Sequence, residues 1–273
     1  MSFAVDNYVI EMKNPLVSLI TITYNAEKHL EQSILSVLNQ TYSNIEYIII
    51  DGGSADGTVD IIKNYENKIA YWVTEPDKGI YDAWNKGINA SKGEWIAFVN
   101  ADDWFFPDAV SSYMTYIQNN IGLELEYVSS VMEYTDDNLK RLCVFGNKWD
   151  WNVSLRYMNV AHPGSFHRRK LFEKYGLFDT KFKSSGDYEL LFRTGKNLKA
   201  GFLEKITIKM RKGGISDGLI ALVEKKMILE ESGLFPKWKV NLMYCWDVLK
   251  KRSKTLLEKR GIFIYTLNRK NFQ

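Results

Sequence analysis

The sequence predicts an α/β fold in which helices surround a mostly parallel β-sheet. Apolar, β-branched runs alternate with helix-like segments through the first half of the chain. The run Trp95 to Val99 is apolar throughout, as is typical of a strand buried on both faces. With 273 residues, of which 45% are hydrophobic, the chain has enough material for one large core or two small ones.

The elements of the first half follow from hydrophobic periodicity. The first strand is rich in β-branched residues and stops at Tyr24-Asn25, where Asn25 is a suitable N-cap for the helix that follows. In that helix the apolar residues recur at helical spacing and form one stripe. The predicted elements are strands at 16–23, 46–50, 69–74 and 95–99 and helices at 26–40, 59–62 and 80–90.

The alternation weakens after Pro107. We expect a helix at 108–119, followed by a hairpin of strands 126–133 and 139–145. A helix from Arg169 should end at Gly176, and another should open near Ser184. A strand at 202–210 precedes a glycine pair, and the remainder of the chain is predicted to be helical.

Polar residues follow several of the predicted parallel strands at their carboxyl ends, namely Thr23, Tyr24, Asp51 and the Asn100-Ala101-Asp102 group. In open α/β sheets, ligands bind beyond these ends, so the residues should line one crevice. The sequence has no Gly-x-Gly-x-x-Gly after its first strand and no Gly-Lys-Ser/Thr phosphate loop. A phosphate bound here would therefore need a cation between it and the carboxylates.

Two interpretations of Asn100, Asp102 and Asp103 are open from the residues alone. Unpaired buried charge is costly, and hard oxygen ligands at a strand end suit Mg²⁺ or Mn²⁺ that shares phosphate oxygens with a substrate. Alternatively, Asp102 or Asp103 caps a helix that starts near Pro107. The surrounding sequence has to distinguish the two.

Net charge, cysteine spacing and the lack of targeting signals indicate the partners and the cellular location of the protein. The net charge is only +3, and we expect no nucleic-acid partner. Cys143 and Cys245 form no spacing motif, so neither a disulfide framework nor a zinc site is predicted. The first fifteen residues lack the pattern of a signal peptide, and no run is long enough to span a bilayer. We expect a cytoplasmic protein.

Several ordered motifs make the chain similar to family 2 glycosyltransferases of the GT-A type, of the bacterial surface-polysaccharide kind. The similarity covers residues from Pro15 to about Ser216, and the first four motifs in this order are specific together. The motifs lie at 18–25, 36–42, 46–58, 77–87 and 93–103. The resemblance implies the GT-A fold, a mixed and mostly parallel sheet flanked by helices.

The resemblance also implies how a nucleotide-sugar donor is bound. Thr23, Tyr24 and Asp51 would hold the nucleoside, with Asn25 in the same group. Asn100-Ala101-Asp102 takes the position of the Asp-x-Asp motif, in which Asp102 would contact the Mn²⁺ or Mg²⁺ that bridges the diphosphate. Asn100 departs from the motif, because its amide contributes no charge. Weaker donor contacts are expected from Lys78, Asp82 and Asn85.

The general base of the family falls on Asp187. In inverting transfer an acceptor hydroxyl attacks the anomeric carbon, and a carboxylate within hydrogen-bond reach can remove its proton. The residues alone favour a different interpretation, in which Asp187 caps the helix that carries Leu190 and Leu191. With the resemblance we favour the base.

Further candidates concern the acceptor. His162 precedes a Pro-Gly turn and is expected to contact the acceptor or diphosphate, although a lone histidine is more often structural. Arg168 could attract acceptor phosphates, or lie at a solvated helix start. Trp149 could stack on a sugar ring, or be an ordinary core aromatic.

The C-terminal segment is basic and aromatic-rich. We expect residues 1–216 to form the catalytic domain and 217–273 a helical extension. Lysines alternate there with aromatic and aliphatic residues, and Lys250-Lys251-Arg252 follows. This pattern fits peripheral contact with the inner face of the cytoplasmic membrane, near an acceptor linked to polyprenyl diphosphate. The alternative is a helical pair that packs on the catalytic domain or a second copy.

The favoured function is metal-dependent inverting transfer of a hexose or N-acetylhexosamine from a UDP-sugar to a lipid-linked glycan. A nucleotidyltransferase is a second interpretation, but it normally needs a glycine-rich basic loop near the first strand, and residues 23–26 offer none. A non-catalytic subunit that binds nucleotide sugars, or serves as a scaffold, is the third, and Asn100 is the one feature in its favour.

Overall fold

The computed structural model describes residues 14–214 and 218–259. In these ranges the chain forms one nine-stranded sheet with helices on both faces. The strands are β1 (Val17–Thr23), β2 (Ile45–Asp51), β3 (Tyr71–Thr74), β4 (Trp95–Asn100), β5 (Trp104–Phe105), β6 (Tyr127–Thr135), β7 (Arg141–Phe145), β8 (Phe166–Arg168) and β9 (Ala200–Arg211). The helices are α1 (Leu30–Leu38), α2 (Thr58–Asn64), α3 (Ile80–Ala90), α4 (Ala109–Asn119), α5 (Trp151–Ser154), α6 (Arg169–Tyr175), α7 (Gly186–Thr194), α8 (Ile220–Glu231) and α9 (Lys237–Lys259).

The sheet is mixed and mostly parallel, as predicted. Its order is β3-β2-β1-β4-β8-β6-β9-β5, with β7 paired to β6. Strands β1 to β4 are parallel to their neighbours in that group, and β6 is parallel to β9. The register pairs Thr23 with Asp51 and Ile22 with Asn100, so these carboxyl ends lie at one edge.

The central strands are apolar on both faces because both faces are covered. In β4, Trp95, Ala97 and Val99 pack in the core beneath α1, α2 and α4. Ile96 and Phe98 pack on the opposite face, in a core that includes residues of α3, α6, α7, α8 and α9. The two-residue alternation of a strand therefore assigns neighbouring side chains to different cores.

Most predicted elements are confirmed within a few residues, and helix 80–90 is confirmed at both ends. Two strands were not predicted: β5, which is very short, and β8, which lies antiparallel between β4 and β6. The prediction of Asn25 as a helix N-cap is wrong. Asn25 adopts a left-handed conformation with φ 48°, its Oδ1 accepts from the Ala55 N–H at 2.9 Å, and α1 starts only at Leu30.

The C-terminal segment packs as two helices. Val240 of α9 and Ile228 and Leu229 of α8 are buried in the core that also covers α7. No helix in the described part of the chain is long and apolar enough to cross a membrane. The predicted domain boundary at 216 and the basic residues beyond 259, Arg260, Arg269 and Lys270, lie outside the described residues.

Candidate active site

A crevice of about 1430 Å³ opens at the carboxyl ends of the parallel strands. Its walls include Thr23, Tyr24 and Asn25 after β1, and Asn100, Ala101 and Asp102 after β4. His162 and Asp187 line the same space. The structure thus brings the predicted metal ligand and the predicted base into one crevice, as the rule for ligand sites in α/β sheets requires.

The two neighbouring carboxylates after β4 have different environments. Asp102 is half-buried and faces the crevice. Asp103 is 1% exposed, and one of its oxygens accepts from Asn100 Nδ2 at 3.0 Å. Burial raises the pKa of Asp103 well above its usual range, and the nearby Asp102 acts in the same direction. Asp103 is therefore buried away from the crevice, and Asp102 is the carboxylate available to a ligand.

Neither Asp102 nor Asp103 caps the next helix, which removes the alternative interpretation of this segment. Helix α4 begins after Asp108. The carbonyl of Asp102 is instead held by Arg211 at the end of β9, whose Nη1 donates to it at 2.5 Å. Arg211 also donates from Nη2 to Gln32 Oε1 at 2.7 Å, and it lines the crevice. The sequence prediction assigned Arg211 no role.

Asp187 lies in the first turn of α7, in a mostly apolar pocket. Its side chain is 23% exposed, and Tyr81 donates from its hydroxyl to Oδ1 at 3.1 Å. A Cβ atom at Gly186 would lie 2.8 Å from the Tyr81 ring, so glycine there permits this packing. The N-cap position of α7 belongs to Ser185, so the cap interpretation of Asp187 is wrong.

His162 lies beside the predicted base. Its Nδ1 is 3.9 Å from Asp187 Oδ2, and its ring stacks on Trp84 with ring centres 5.2 Å apart. Burial lowers the pKa of His162 to about 3, so the imidazole is neutral near pH 7. Its Nε2 has no hydrogen-bond partner among the described residues. A neutral, buried imidazole at the wall of the crevice can orient a polar substrate group without adding charge.

Asp51 is at the predicted strand end, but its carboxylate is fully buried and turned to its own loop. Its oxygens accept from the N–H groups of Gly53 and Ser54 at 3.2 and 3.0 Å, and from the Thr74 hydroxyl at 2.5 Å. The described contacts thus make Asp51 the organiser of the loop after β2. Its predicted contact to a base stays a prediction.

The three residues expected to make weaker donor contacts lie outside the crevice lining, and those contacts stay predictions. Asn85 clamps the backbone of Phe178, donating from Nδ2 to its carbonyl at 2.8 Å and accepting at Oδ1 from its N–H at 3.0 Å. Asp82 accepts from the Lys78 N–H at 3.0 Å within its own helix start. Neither residue lines the crevice, and Lys78 is exposed outside it. Asp77 occupies that wall instead.

Arg168 and Trp149 also lie away from the crevice. Strand β8 runs antiparallel to β4, so Arg168 pairs with Trp95 at the amino end of β4, roughly 16 Å from Asn100 at about 3.3 Å per residue. There Arg168 binds Glu94 at 2.9 Å, on the wrong edge for an acceptor phosphate. Trp149 packs against the core that covers α7. Neither residue lines the crevice, and a contact of either with the acceptor stays a prediction.

A buried carboxylate from the C-terminal segment holds the start of the base-bearing helix. Glu224 of α8 is 5% exposed and accepts from the backbone N–H groups of Lys183, Ser184 and Ser185 at 2.6, 2.9 and 2.8 Å. These residues immediately precede Gly186 and Asp187. The predicted extension is thus joined to the catalytic part of the chain through charge-assisted hydrogen bonds.

Replacing Glu224 by alanine should destabilise the protein by about 3 kcal/mol, because three backbone N–H groups lose a charged acceptor. We expect a lower kcat as well, since the segment before Asp187 loosens. Thermal unfolding and steady-state kinetics measure the two effects. Glu230→Ala is the matched control on α8, because Glu230 forms only a partly exposed pair with Lys226 at 3.7 Å. Equal unfolding midpoints for the two variants would show that the hydrogen bonds to Glu224 do not stabilise the segment before Asp187.

The pH dependence of glycosyl transfer should follow the ionisation of the Asp187 carboxyl group. Burial raises the pKa of this carboxyl above its ordinary value of 3.8, so the ionised base is lost on the acidic side at a higher pH than for an exposed aspartate. Tyr81, whose pKa burial raises well above 10, stays neutral there, and so does His162. Lys225 and Asp247 face the same crevice as an ion pair at 2.6 Å.

We therefore expect kcat/KM to rise with pH along one acidic limb, measured with a saturating donor. The raised pKa of Asp187 also affects the free energy of unfolding, but in the opposite direction. Its stabilising contribution is fully present below pH 3.8 and is lost as the pH rises through the raised pKa. His162→Asn should leave the position of the limb unchanged. If the acidic limb shifted to a different pH in His162→Asn, the assignment of this limb to Asp187 would be contradicted.

The mixed, mostly parallel sheet with a crevice at the carboxyl ends of its parallel strands is a GT-A fold. The sequence profile of Glycosyl transferase family 2 matches residues 18–176, more than half of the chain. The chain belongs to this family. Family membership selects glycosyl transfer over the nucleotidyl transfer that the sequence left open.

Several known proteins are similar to this chain. It is 29% identical to an uncharacterized glycosyltransferase of Methanocaldococcus jannaschii, over 87% of this chain and 84% of the relative. It is 26% identical to a PGL/p-HBAD biosynthesis glycosyltransferase of Mycobacterium tuberculosis, over 77% and 82%. Among solved structures, S. aureus TarS 1–349 in complex with UDP-GlcNAc superposes with a TM-score of 0.61 at 19% identity, over 79% and 71%.

A second solved structure is the mannosyltransferase PcManGT of Pyrobaculum calidifontis in complex with GDP-Man and Mn²⁺. Its TM-score is 0.61 at 17% identity, over 82% of this chain and 65% of that one. At this level of identity, the two structures establish the shared fold. The chain spans 42% of the longer TarS structure.

Proposed function

We propose that the protein transfers a hexose or N-acetylhexosamine, with inversion, from a UDP-sugar to a hydroxyl of a lipid-linked glycan in surface-polysaccharide synthesis. The observation that carries the proposal is that Asp102 and Asp187 line one crevice at the carboxyl ends of the parallel strands. The UDP-GlcNAc bound by TarS and the biosynthetic role of the mycobacterial relative support the donor and the type of product.

On the donor side, the nucleoside would lie against Thr23, Tyr24 and Asn25. Tyr24 is 65% exposed in the crevice, which leaves its ring free to stack on a base. Thr23 is 5% exposed, and its hydroxyl has no hydrogen-bond partner among the described residues. A buried hydroxyl at a ligand-facing edge is suited to bind a polar group of the nucleoside.

The residues present fit a divalent cation that is shared with the donor. No cluster of three His, Cys, Asp or Glu side chains suited to a metal exists among residues 14–214 and 218–259. Asp102 supplies one carboxylate, and the amide oxygen of Asn100 is not used in its bond to Asp103. Mg²⁺ or Mn²⁺ sites of this kind take their other ligands from phosphates and water. When bound, the ion would neutralise the charge of the departing diphosphate.

The chain's own groups would carry out the proton transfer. The acceptor hydroxyl would give its proton to Asp187 as its oxygen bonds to the anomeric carbon, and the bond from that carbon to the donor diphosphate would break. The nucleoside diphosphate would leave with the bonding electrons. Tyr81 would hold Asp187 Oδ1 and leave Oδ2 for the acceptor, beside the neutral His162.

A donor screen tests the proposal. The protein is mixed with UDP-GlcNAc, UDP-glucose, UDP-galactose or GDP-mannose and Mn²⁺, and release of nucleoside diphosphate is measured. We expect slow hydrolysis of one UDP-sugar without acceptor, because water can take the place of the acceptor hydroxyl. The absence of release and of binding for every donor would contradict the proposal and favour a scaffold role.

We further propose that the protein lies at the inner face of the cytoplasmic membrane. Five large apolar side chains of α9 are 55–65% exposed, and lysines flank them: Trp238, Leu242, Trp246, Leu249 and Leu256. Such a helix suits an anionic lipid surface. Flotation with anionic vesicles at low salt measures this, and a protein that stays at the bottom of the gradient would contradict it.

A further inference from the structure

Arg211 ends strand β9 beside the segment that carries Asp102. Strands β5 and β9 are antiparallel, with Trp104 opposite Lys209. This register, continued by two residues, would place Arg211 opposite Asp102. The bond from Arg211 Nη1 to the Asp102 carbonyl at 2.5 Å joins the same two residues, and both line the crevice. The fold therefore places a guanidinium next to the residue that is expected to hold the cation.

The guanidinium of Arg211 is a buried charge that forms no ion pair with the described residues. Arg211 is 6% exposed, and its two hydrogen-bond acceptors are neutral, namely the Asp102 carbonyl and Gln32 Oε1. A guanidinium carries five N–H groups, so the other three, including the buried Nε–H, have no acceptor in the described part of the chain. An unpaired buried charge is costly, which indicates that its counter-ion arrives with a ligand.

The crevice wall around Arg211 carries no net negative charge that would repel an anion. Burial, Arg211 and Lys28 lower the pKa of His29, and Asp102 raises it, so these side chains lie within electrostatic range of one another. His29 is neutral near pH 7, and Lys28 is exposed to water. Asn100 contributes no charge. Asp102 and Arg211 therefore balance each other, whereas a carboxylate at position 100 would shift the balance toward negative charge.

We propose that Arg211 binds a phosphate of the nucleotide directly, so that UDP binds in this crevice without a divalent cation. This inference rests on the proposed function, in which the donor carries a diphosphate. The planar N–H groups of a guanidinium can donate to two phosphate oxygens at once. The sequence indicated that phosphate at this edge needs a cation, and Arg211 supplies part of that positive charge. UDP binding would then persist after chelation, whereas nucleotide release would still need the cation beside Asp102.

Arg211 also supports the structure, because its bonds connect the segment after β4 to Gln32 of α1. The experiment has to separate this support from phosphate binding. Uridine has the nucleoside of UDP but no phosphate. A purely structural arginine would therefore affect uridine and UDP equally, whereas a phosphate-binding arginine would affect UDP alone. The ratio of the two affinities isolates the contribution of the phosphates.

UDP and uridine are titrated into the protein in EDTA, and binding is measured by calorimetry. We expect the unaltered protein to bind UDP about 30-fold more tightly than uridine, because charge-assisted hydrogen bonds to phosphate are added. In Arg211→Gln this ratio should fall below about threefold, while uridine binding stays unchanged, which also shows that the variant is folded. Arg211→Lys should give an intermediate ratio, since the charge remains without the planar fork.

Arg169→Gln is the matched control. Arg169 also donates to two neutral acceptors, the Gly93 carbonyl and the Ser91 hydroxyl, both at 2.8 Å, and it lies outside the crevice lining. The substitution therefore removes the same charge and the same kind of hydrogen bonds at a distant place. Arg169→Gln should bind UDP and uridine in EDTA like the unaltered protein.

Asn100→Asp tests the charge balance of the wall from the opposite direction. In EDTA the added carboxylate should weaken UDP binding by about tenfold through repulsion of the phosphates, and leave uridine binding unchanged. With Mn²⁺ the variant should bind UDP at least as tightly as the unaltered protein, because the cation gains a second carboxylate. Unchanged UDP binding by Asn100→Asp in EDTA would contradict the charge balance.

Three results would overturn the inference. The first is that UDP binds no more tightly than uridine in EDTA, and the second is that Arg211→Gln keeps the full ratio. The third is an equal loss of uridine and UDP in this variant, which would assign Arg211 a structural role alone. All three leave the proposed function intact while UDP binds in Mn²⁺ and a donor is hydrolysed. Absence of both would count against the proposed function itself.

Discussion

Asp187→Asn should eliminate glycosyl transfer while leaving UDP binding nearly intact. The amide has almost the same shape as the carboxylate and can still accept from Tyr81, so the pocket is preserved. It cannot take a proton from the acceptor hydroxyl. General base catalysis contributes about 10²- to 10⁴-fold, and we expect kcat to fall by that factor.

Transfer to a lipid-linked acceptor and calorimetry with UDP measure the two effects. Glu189→Gln is the matched control, because Glu189 lies on the same helix and pairs with Arg193 at 2.9 Å. It should keep most of the activity. Transfer that persists in Asp187→Asn would assign the base elsewhere.

Asp102→Ala should have the second large effect. Asp102 is the carboxylate of its segment that faces the crevice, because the side chain of Asp103 is buried. Its removal should abolish the response of UDP binding to Mn²⁺ and lower nucleotide release by at least about 100-fold, which corresponds to about 3 kcal/mol of stabilisation of the leaving group.

Nucleotide release is measured with Mn²⁺, with Mg²⁺ and after chelation. Asp108→Ala is the control, since Asp108 pairs with Lys205 outside the crevice. Chelation should reduce the unaltered protein to the level of Asp102→Ala. Full activity of the unaltered protein after chelation would contradict the use of a cation and leave Asp102 with a different role.

The parallel half of the fold was predictable because its signals are local. Strands β1, β2 and β4 are apolar runs, and the crevice follows from the rule that ligands bind at their carboxyl ends. Asp102, Asp187 and His162 were found in this way or through the family motifs, and the structure brings them together.

The remaining site features depend on contacts between distant parts of the chain. Strand β8 has three residues, and its antiparallel direction carries Arg168 to the opposite edge. Tyr81 reaches Asp187 across 106 positions of sequence, and Glu224 reaches the segment before α7 across about forty. Spacing along the sequence does not encode such contacts. The structure alone shows that a side chain at position 186 would collide with Tyr81.

The bonds from Glu224 have a practical consequence for building hybrid enzymes. Because they end on main-chain amides, residues 183–185 can change to any residue other than proline without losing the attachment, provided the glutamate remains. A chimaera that exchanges the C-terminal helices between relatives should therefore keep a carboxylate at this position of the incoming helix. A junction between Asp187 and Glu224 without such a carboxylate would remove the hydrogen bonds that hold the segment before Asp187.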